Sequence, residues 1–271
     1  MEGAEVMTLT RVAGHVELLL FALLLIGLGA EAQQPCVVYA DEFGPLPLQM
    51  IIDTVPEGTV ICLGPGERFE DEAIRITKSL TIRGLGADKT TICGIHSPLI
   101  TIENQEDRTI HVTIEDVGLT GEGGCGWSWR LLLVSGNAEV TIKGCSFWGV
   151  DFGMRLEGDA RVTLSDSKLD SEGSNIWLLD NARVTAEGCV FSGGVLGEGA
   201  SHLSFKDCSF PRGGVGLSGN AEGELSACGA ADAPFPIGLR DGARATLNSC
   251  ILTFVDLEAV SYTHLTLPTK A

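Results

Sequence analysis

The chain has 271 residues, 36 acidic and 18 basic, for a formal net charge of −18. Repulsion of that size disfavours nucleic acid and anionic membrane surfaces as partners, since both demand basic patches. The 44% hydrophobic and 20% charged content is that of a folded protein and not of a disordered one, and 35 glycines against 6% aromatic residues point to the frequent turns of a repetitive β architecture.

In chain order, the first element is a targeting signal. Arg11 and His15 precede an apolar run from Leu18 to Leu28, and Ala30-Glu31-Ala32 forms a small-residue cleavage site before Gln33. Residues 1–32 are therefore predicted to be a cleaved signal peptide, with export to an extracellular or periplasmic location. No later stretch reaches about eighteen apolar residues, so no membrane span is expected. Residues 33–57 follow as an N-terminal segment, in which Leu46 to Val55 reads as a short amphipathic helix. Its expected task is to cover the open apolar end of a solenoid.

Residues 58–259 carry an internal repeat. Val140-Thr-Ile-Lys-Gly-Cys145-Ser-Phe147 recurs as Val162 to Leu169, Val184 to Phe191, Leu203 to Phe210 and Ala245 to Leu252, with a weaker copy around Leu225. The sixth position of each copy falls at 145, 167, 189, 208, 228 and 250, giving steps of 22, 22, 19, 20 and 22 residues. A near-constant period of this size marks a solenoid. Turns at Gly136-Asn137-Ala138, Gly158-Asp159-Ala160, Asp180-Asn181-Ala182, Gly219-Asn220-Ala221 and Asp241-Gly242-Ala243 keep the same register. Gly, Asn and Asp tolerate the left-handed backbone that such corners need. Just before each turn apolar residues alternate with variable ones, as in Met154/Leu156 and Ile176/Leu178. Period-two alternation places Val140, Ile142, Cys145 and Phe147 inward, and Thr141 and Lys143 outward. The expected fold class is all-β, a right-handed parallel β-helix with a short N-terminal capping helix.

The helix, the Pro56-Glu-Gly-Thr-Val-Ile strand, Pro65-Gly66 and Thr77-Lys-Ser-Leu-Thr-Ile-Arg-Gly-Leu-Gly-Ala-Asp-Lys-Thr-Thr-Ile92 resemble the opening of pectate-lyase-like right-handed β-helix proteins, the NosD-like branch most closely. The resemblance covers residues 46 to 256 and is specific for fold rather than activity. Three readings of function follow, the first resting on the regular coils, the signal peptide and the tryptophans, and the last implied by the NosD likeness alone. One is an exported scaffold or carbohydrate-binding module without a catalytic site; another is a polysaccharide lyase or hydrolase; the third is a periplasmic accessory of copper-enzyme maturation.

Residues that could carry chemistry separate these readings. Copper carriage finds only His96, His111 and His202 in residues 33–259, the natural mature chain, none at ligand spacing. A lyase needs paired carboxylates or a calcium cluster beside a positioned base. Asp116, Asp166 and Asp207 share a repeat position, but one beside a turn, where Asp is ordinary; Arg155 and Arg240 face outward on distant coils. Gly149-Val-Asp-Phe-Gly153 is similar to an Asp-Phe element of pectin methylesterases, whose other motifs are absent. No catalytic residue, metal or cofactor is therefore assigned, and calcium is unsupported.

The tryptophans Trp127, Trp129, Trp148 and Trp177 fall within about three coils. Trp148 and Trp177 alternate with inward residues and should face outward, where an aromatic face can stack on a sugar ring. The expected partner is a polysaccharide or cell-surface glycan, neutral in view of the acidic surface. Cys189, Cys208, Cys228 and Cys250, with Cys145 two coils earlier, form an interior ladder, whereas Cys36, Cys62, Cys93 and Cys125 are the disulfide candidates. An outward column of Thr113, Thr141, Thr163, Thr185, Ser204 and Thr246 reflects the β-propensity of threonine, because the second parallel column of an ice-binding face is missing. Residues 260–271 read as a non-native tail: Val260-Ser-Tyr-Thr-His-Leu-Thr-Leu-Pro-Thr269 resembles the translation of a sequencing adapter, so the natural chain is expected to continue past Ala259.

Overall fold

The computed structural model describes residues 35–40, 46–104, 108–121, 130–229 and 235–258. The chain divides into residues 1–35 and 36–271, and every described element belongs to the second unit. Each coil contributes strands to three parallel sheets. Among the described residues, sheet A holds ten strands, from Val38–Tyr39 to Arg244–Asn248; sheet B holds six, from Gly66–Glu70 to Val190–Phe191; sheet C holds nine, from Ile74–Ile76 to Leu252–Glu258. The result is a right-handed parallel β-helix of about nine turns, with sheet B prolonged by the bridges Val190 to Ser209 and Ser209 to Gly229.

One coil shows why the sequence folds this way. Phe152–Leu156 runs in sheet C, Arg161–Ser165 in sheet A and Lys168–Asp170 in sheet B, and Ser174–Leu178 returns to sheet C. The C-to-A corner turns on Gly136, Gly158, Asp180, Gly199, Gly219 and Asp241, all at φ between 57° and 72°. The A-to-B corner turns on Asp116, Gly144, Asp166, Gly188, Asp207, Ala227 and Ser249, at φ between 50° and 65°. A left-handed residue costs an ordinary side chain roughly 1–2 kcal/mol, which explains the Gly and Asp recurring at these sites. Gly199 completes the first series, where the sequence pattern left a gap.

The inward positions are as expected. Val140, Ile142, Cys145 and Phe147 are at most 2% exposed, while Thr141 and Lys143 face solvent. Equivalent residues stand in register: Val140 pairs with Val112 and Val162, and Val184 with Val162 and Leu203. Where the small Ala186 stands in register with Phe205, volume is restored by a stack of Phe191, Phe205 and Phe210 with ring centroids 5.1 to 6.0 Å apart. Large beside small keeps the interior filled.

The helix spans Leu48–Thr54 and buries Leu48, Ile51 and Ile52. It is shorter than the expected Leu46 to Val55 because Pro47 and Pro56 flank it, and a residue before proline is pushed out of the helical region. The Leu48 N–H donates to buried Glu70 at 2.9 Å, and Arg68 pairs with Glu70 at 2.6 Å. Among the described residues no helix is long and apolar enough to cross a membrane.

The two cysteine classes separate as expected. Cys36 and Cys62 form a disulfide with Cα atoms 5.8 Å apart, and Cys93 is also disulfide-bonded; Cys125 lies outside the described residues. The ladder members Cys145, Cys189, Cys208, Cys228 and Cys250 are free thiols. Their part in the coil is to tie the A-to-B corner. Cys145, Cys208 and Cys228 each donate to the carbonyl two residues earlier, at 3.2 to 3.3 Å, and Ser167 makes the same bond at 2.8 Å. Serine and cysteine are thus interchangeable here.

Candidate functional site

Trp148 and Trp177, the two tryptophans within the described residues, stand on different sheets. Trp148 lies on sheet B in Ser146–Trp148, whereas Trp177 lies on sheet C in Ser174–Leu178, so the two face different sides of the solenoid. Both point outward and are half-buried. Trp127 and Trp129 lie outside the described residues.

Trp148 is built into a groove. Its indole leans over Gly118 of the preceding coil, where an added Cβ would come within 2.7 Å of the ring; the bare glycine is the seat of the tryptophan. On the next coil, Asp170 stands in register with Trp148 and Lys168 with Ser146. Lys168 Nζ lies 3.5 Å from Asp170. Arg212, from the B-to-C corner two coils further on, also pairs with Asp170. Ser146, Trp148, Gly149, Lys168, Asp170, Glu172 and Arg212 line an open groove of about 470 Å³, a volume within the range of small-molecule sites. It offers one aromatic surface, two cationic donors and two carboxylates.

Trp177 is engaged by its own neighbours. The Arg155 guanidinium lies over its ring at 4.9 Å from the centroid, and Phe152 stacks at 6.4 Å. Its indole N–H donates to Glu198 at 3.1 Å. Arg155 in turn pairs with Glu157, and burial together with the charge of Arg155 lowers the pKa of nearby Arg130. This is a packed cation–π column.

The remaining polar candidates are absorbed by the coil. Asp116, Asp166 and Asp207 are the left-handed corner residues. Asp151 sits at a B-to-C corner, where its carbonyl accepts the Gly173 N–H at 3.1 Å. The threonine column is in register from Thr81 through Thr113, Thr141, Thr163 and Thr185 to Ser204. Its flanks are charged, as in Glu139–Arg161 at 3.0 Å and Glu187–Lys206 at 2.5 Å. Burial pushes the Cys145 thiol up to about 12, which makes it inert as a nucleophile or ligand. Among the described residues no three His, Cys, Asp or Glu side chains converge on one point.

Sequence reasoning found Trp148 but missed its companions Asp170 and Arg212. Asp170 could have been found by adding one 22-residue period to Trp148. Arg212 leaves no such signal, because the intervening coils are of unequal length. Buried Asn175 was also missed: its side-chain oxygen accepts from the N–H and hydroxyl of Ser171, and its amide donates to the Gly193 carbonyl. It braces the B-to-C corner.

A family described as a right-handed β-helix region matches residues 130–256. No curated protein matches the chain. Among solved structures, an Aspergillus niger pectin methylesterase is similar at 12% identity and a TM-score of 0.49, covering 89% of this chain and 94% of its own. The A-module of an Azotobacter vinelandii mannuronan C-5 epimerase is similar at 12% and 0.44, covering 82% and 95%. A Geobacillus virus E2 protein is similar at 13% and 0.44, covering 81% and 61%. Likenesses at this level assign no activity to the chain.

Proposed function

We propose that this protein is an exported β-helix scaffold that binds a polysaccharide or cell-surface glycan on its outer face, with no catalytic site of its own. The observation that carries the reading is Trp148, an outward aromatic seated on a glycine at the wall of a polar groove. Apolar ring surface beside a few convergent polar groups suits a sugar, whose C–H face stacks while its hydroxyls bond at the edge. The Cys36–Cys62 bridge supports an oxidising compartment, in line with the signal peptide read from residues 1–32. The net charge of −18 favours a neutral glycan over a polyanion.

The test is a glycan array followed by titration of tryptophan fluorescence on the full chain. Binding of at least one glycan, weakened in Trp148→Ala or Trp177→Ala, is the expected result. Silence across neutral and charged glycans would remove the reading. Ultraviolet absorbance from unsaturated products on a polysaccharide panel would replace it with a lyase.

A further inference from the structure

The Trp148 groove has the parts of a specific sugar subsite, and its charges name the class of sugar. Lys168 and Arg212 bring two positive charges, and Asp170 and Glu172 two negative ones, so the groove is locally neutral. Asp170 is the hub: it stands beside the indole in register and is held by Lys168 from its own strand and by Arg212 from two coils away. A carboxylate clamped between two cations has its oxygens fixed in place. It can accept hydrogen bonds from ring hydroxyls while the flanking donors supply bonds to the same hydroxyls.

We infer that this groove binds one ring of a neutral hexopyranose glycan, its C–H face against Trp148 and a pair of adjacent hydroxyls bonded at the edge of the Asp170–Arg212 pair. The inference rests on the glycan-binding reading and adds to it the roles of Asp170, Lys168 and Arg212 and the hexopyranose ring they would hold. A uronate is disfavoured because its carboxylate would face Asp170 and Glu172 and compete with them for Lys168 and Arg212. A purely apolar ligand is disfavoured because it would desolvate these four charges without replacing their bonds.

Calorimetric titration of the full chain with linear neutral oligosaccharides and with uronate-containing ones tests this. The expected result is binding of a neutral oligosaccharide, weakened about tenfold or more in Arg212→Ala and in Asp170→Asn, as for loss of a hydrogen bond to a charged group. Trp148→Ala should be at least as weak, Trp148→Phe partly restored, and Thr163→Ala on sheet A unchanged. Arg212 is 68% exposed, so its variant tests the site even if Trp148→Ala fails to fold. Neutral binding that survives Arg212→Ala and Asp170→Asn but is lost in Trp177→Ala would overturn the subsite and leave the glycan-binding reading standing. Preference for uronates would overturn the sugar class, and no binding of any glycan would overturn both.

Discussion

Sheets A and B are built from the same coils at the same spacing of about 4.8 Å, yet their outer faces follow opposite rules. On sheet A one outward column repeats threonine from Thr81 to Thr185 and continues as Ser204. Its charged flanks are paired with each other along the axis, as in Glu139–Arg161. On sheet B the column through Thr120, Trp148 and Asp170 differs at every step, and Lys168, Asp170 and Arg212 gather around the Trp148 groove. Repetition marks what every coil needs in order to stack. Departure from the repeat marks what a particular coil carries. Repeated interior and corner positions should therefore govern stability, and outward departures should govern binding.

The largest expected effect concerns the repeated interior. Phe205→Ala removes one member of the Phe191–Phe205–Phe210 stack and should cost about 3–5 kcal/mol in chemical denaturation, with glycan affinity unchanged at temperatures where the variant is folded. Second, the Cys145 thiol is neutral in the fold, and burial raises its pKa from 9.0 to about 12, while the unfolded chain would ionise near 9. The folded state holds the proton more tightly, so this contribution is full below pH 9 and declines as pH rises toward 12, at up to about 1.4 kcal/mol per pH unit. The denaturation midpoint of wild type should fall relative to that of Cys145→Ser as pH rises from 9 to 11; a difference constant with pH would contradict the ladder's buried, neutral state.

A smaller effect is expected at the corners. Asp166 holds φ at 50°, so Asp166→Val should lose roughly 1–2 kcal/mol, whereas Asp166→Gly should be neutral in thermal melts. The smallest belongs to the outer face of sheet A, where Thr163→Ala should change stability by about 0.5 kcal/mol or less and leave binding as it was. Loss of glycan binding in that variant would collapse the distinction between the two faces.

The period, the corners and the cysteine ladder are legible in the sequence because each is one local rule repeated. Inward valines alternate with outward threonines, and Gly or Asp recurs where the backbone turns left-handed. Gly199 escaped because Gly199-Ala200-Ser201 lacks the Asn or Asp of its sister turns. The allocation of Trp148 and Trp177 to different sheets escaped for another reason. Gly144 bends the chain in the middle of what reads as one alternating run from Val140 to Phe147, and the three-residue strand that follows gives too little periodicity to show a change of sheet. Arg212 reaches Asp170 across two coils, a contact set by coil lengths of 19 to 22 residues and not by any motif.

The most direct test of the division between faces is hydroxyl-radical footprinting of the full chain with and without a saturating neutral oligosaccharide. Protection of Trp148 and its groove neighbours, with Lys143 and Lys206 on sheet A equally reactive in both states, is the expected result. Protection spread over sheet A, or absent from Trp148, would contradict it.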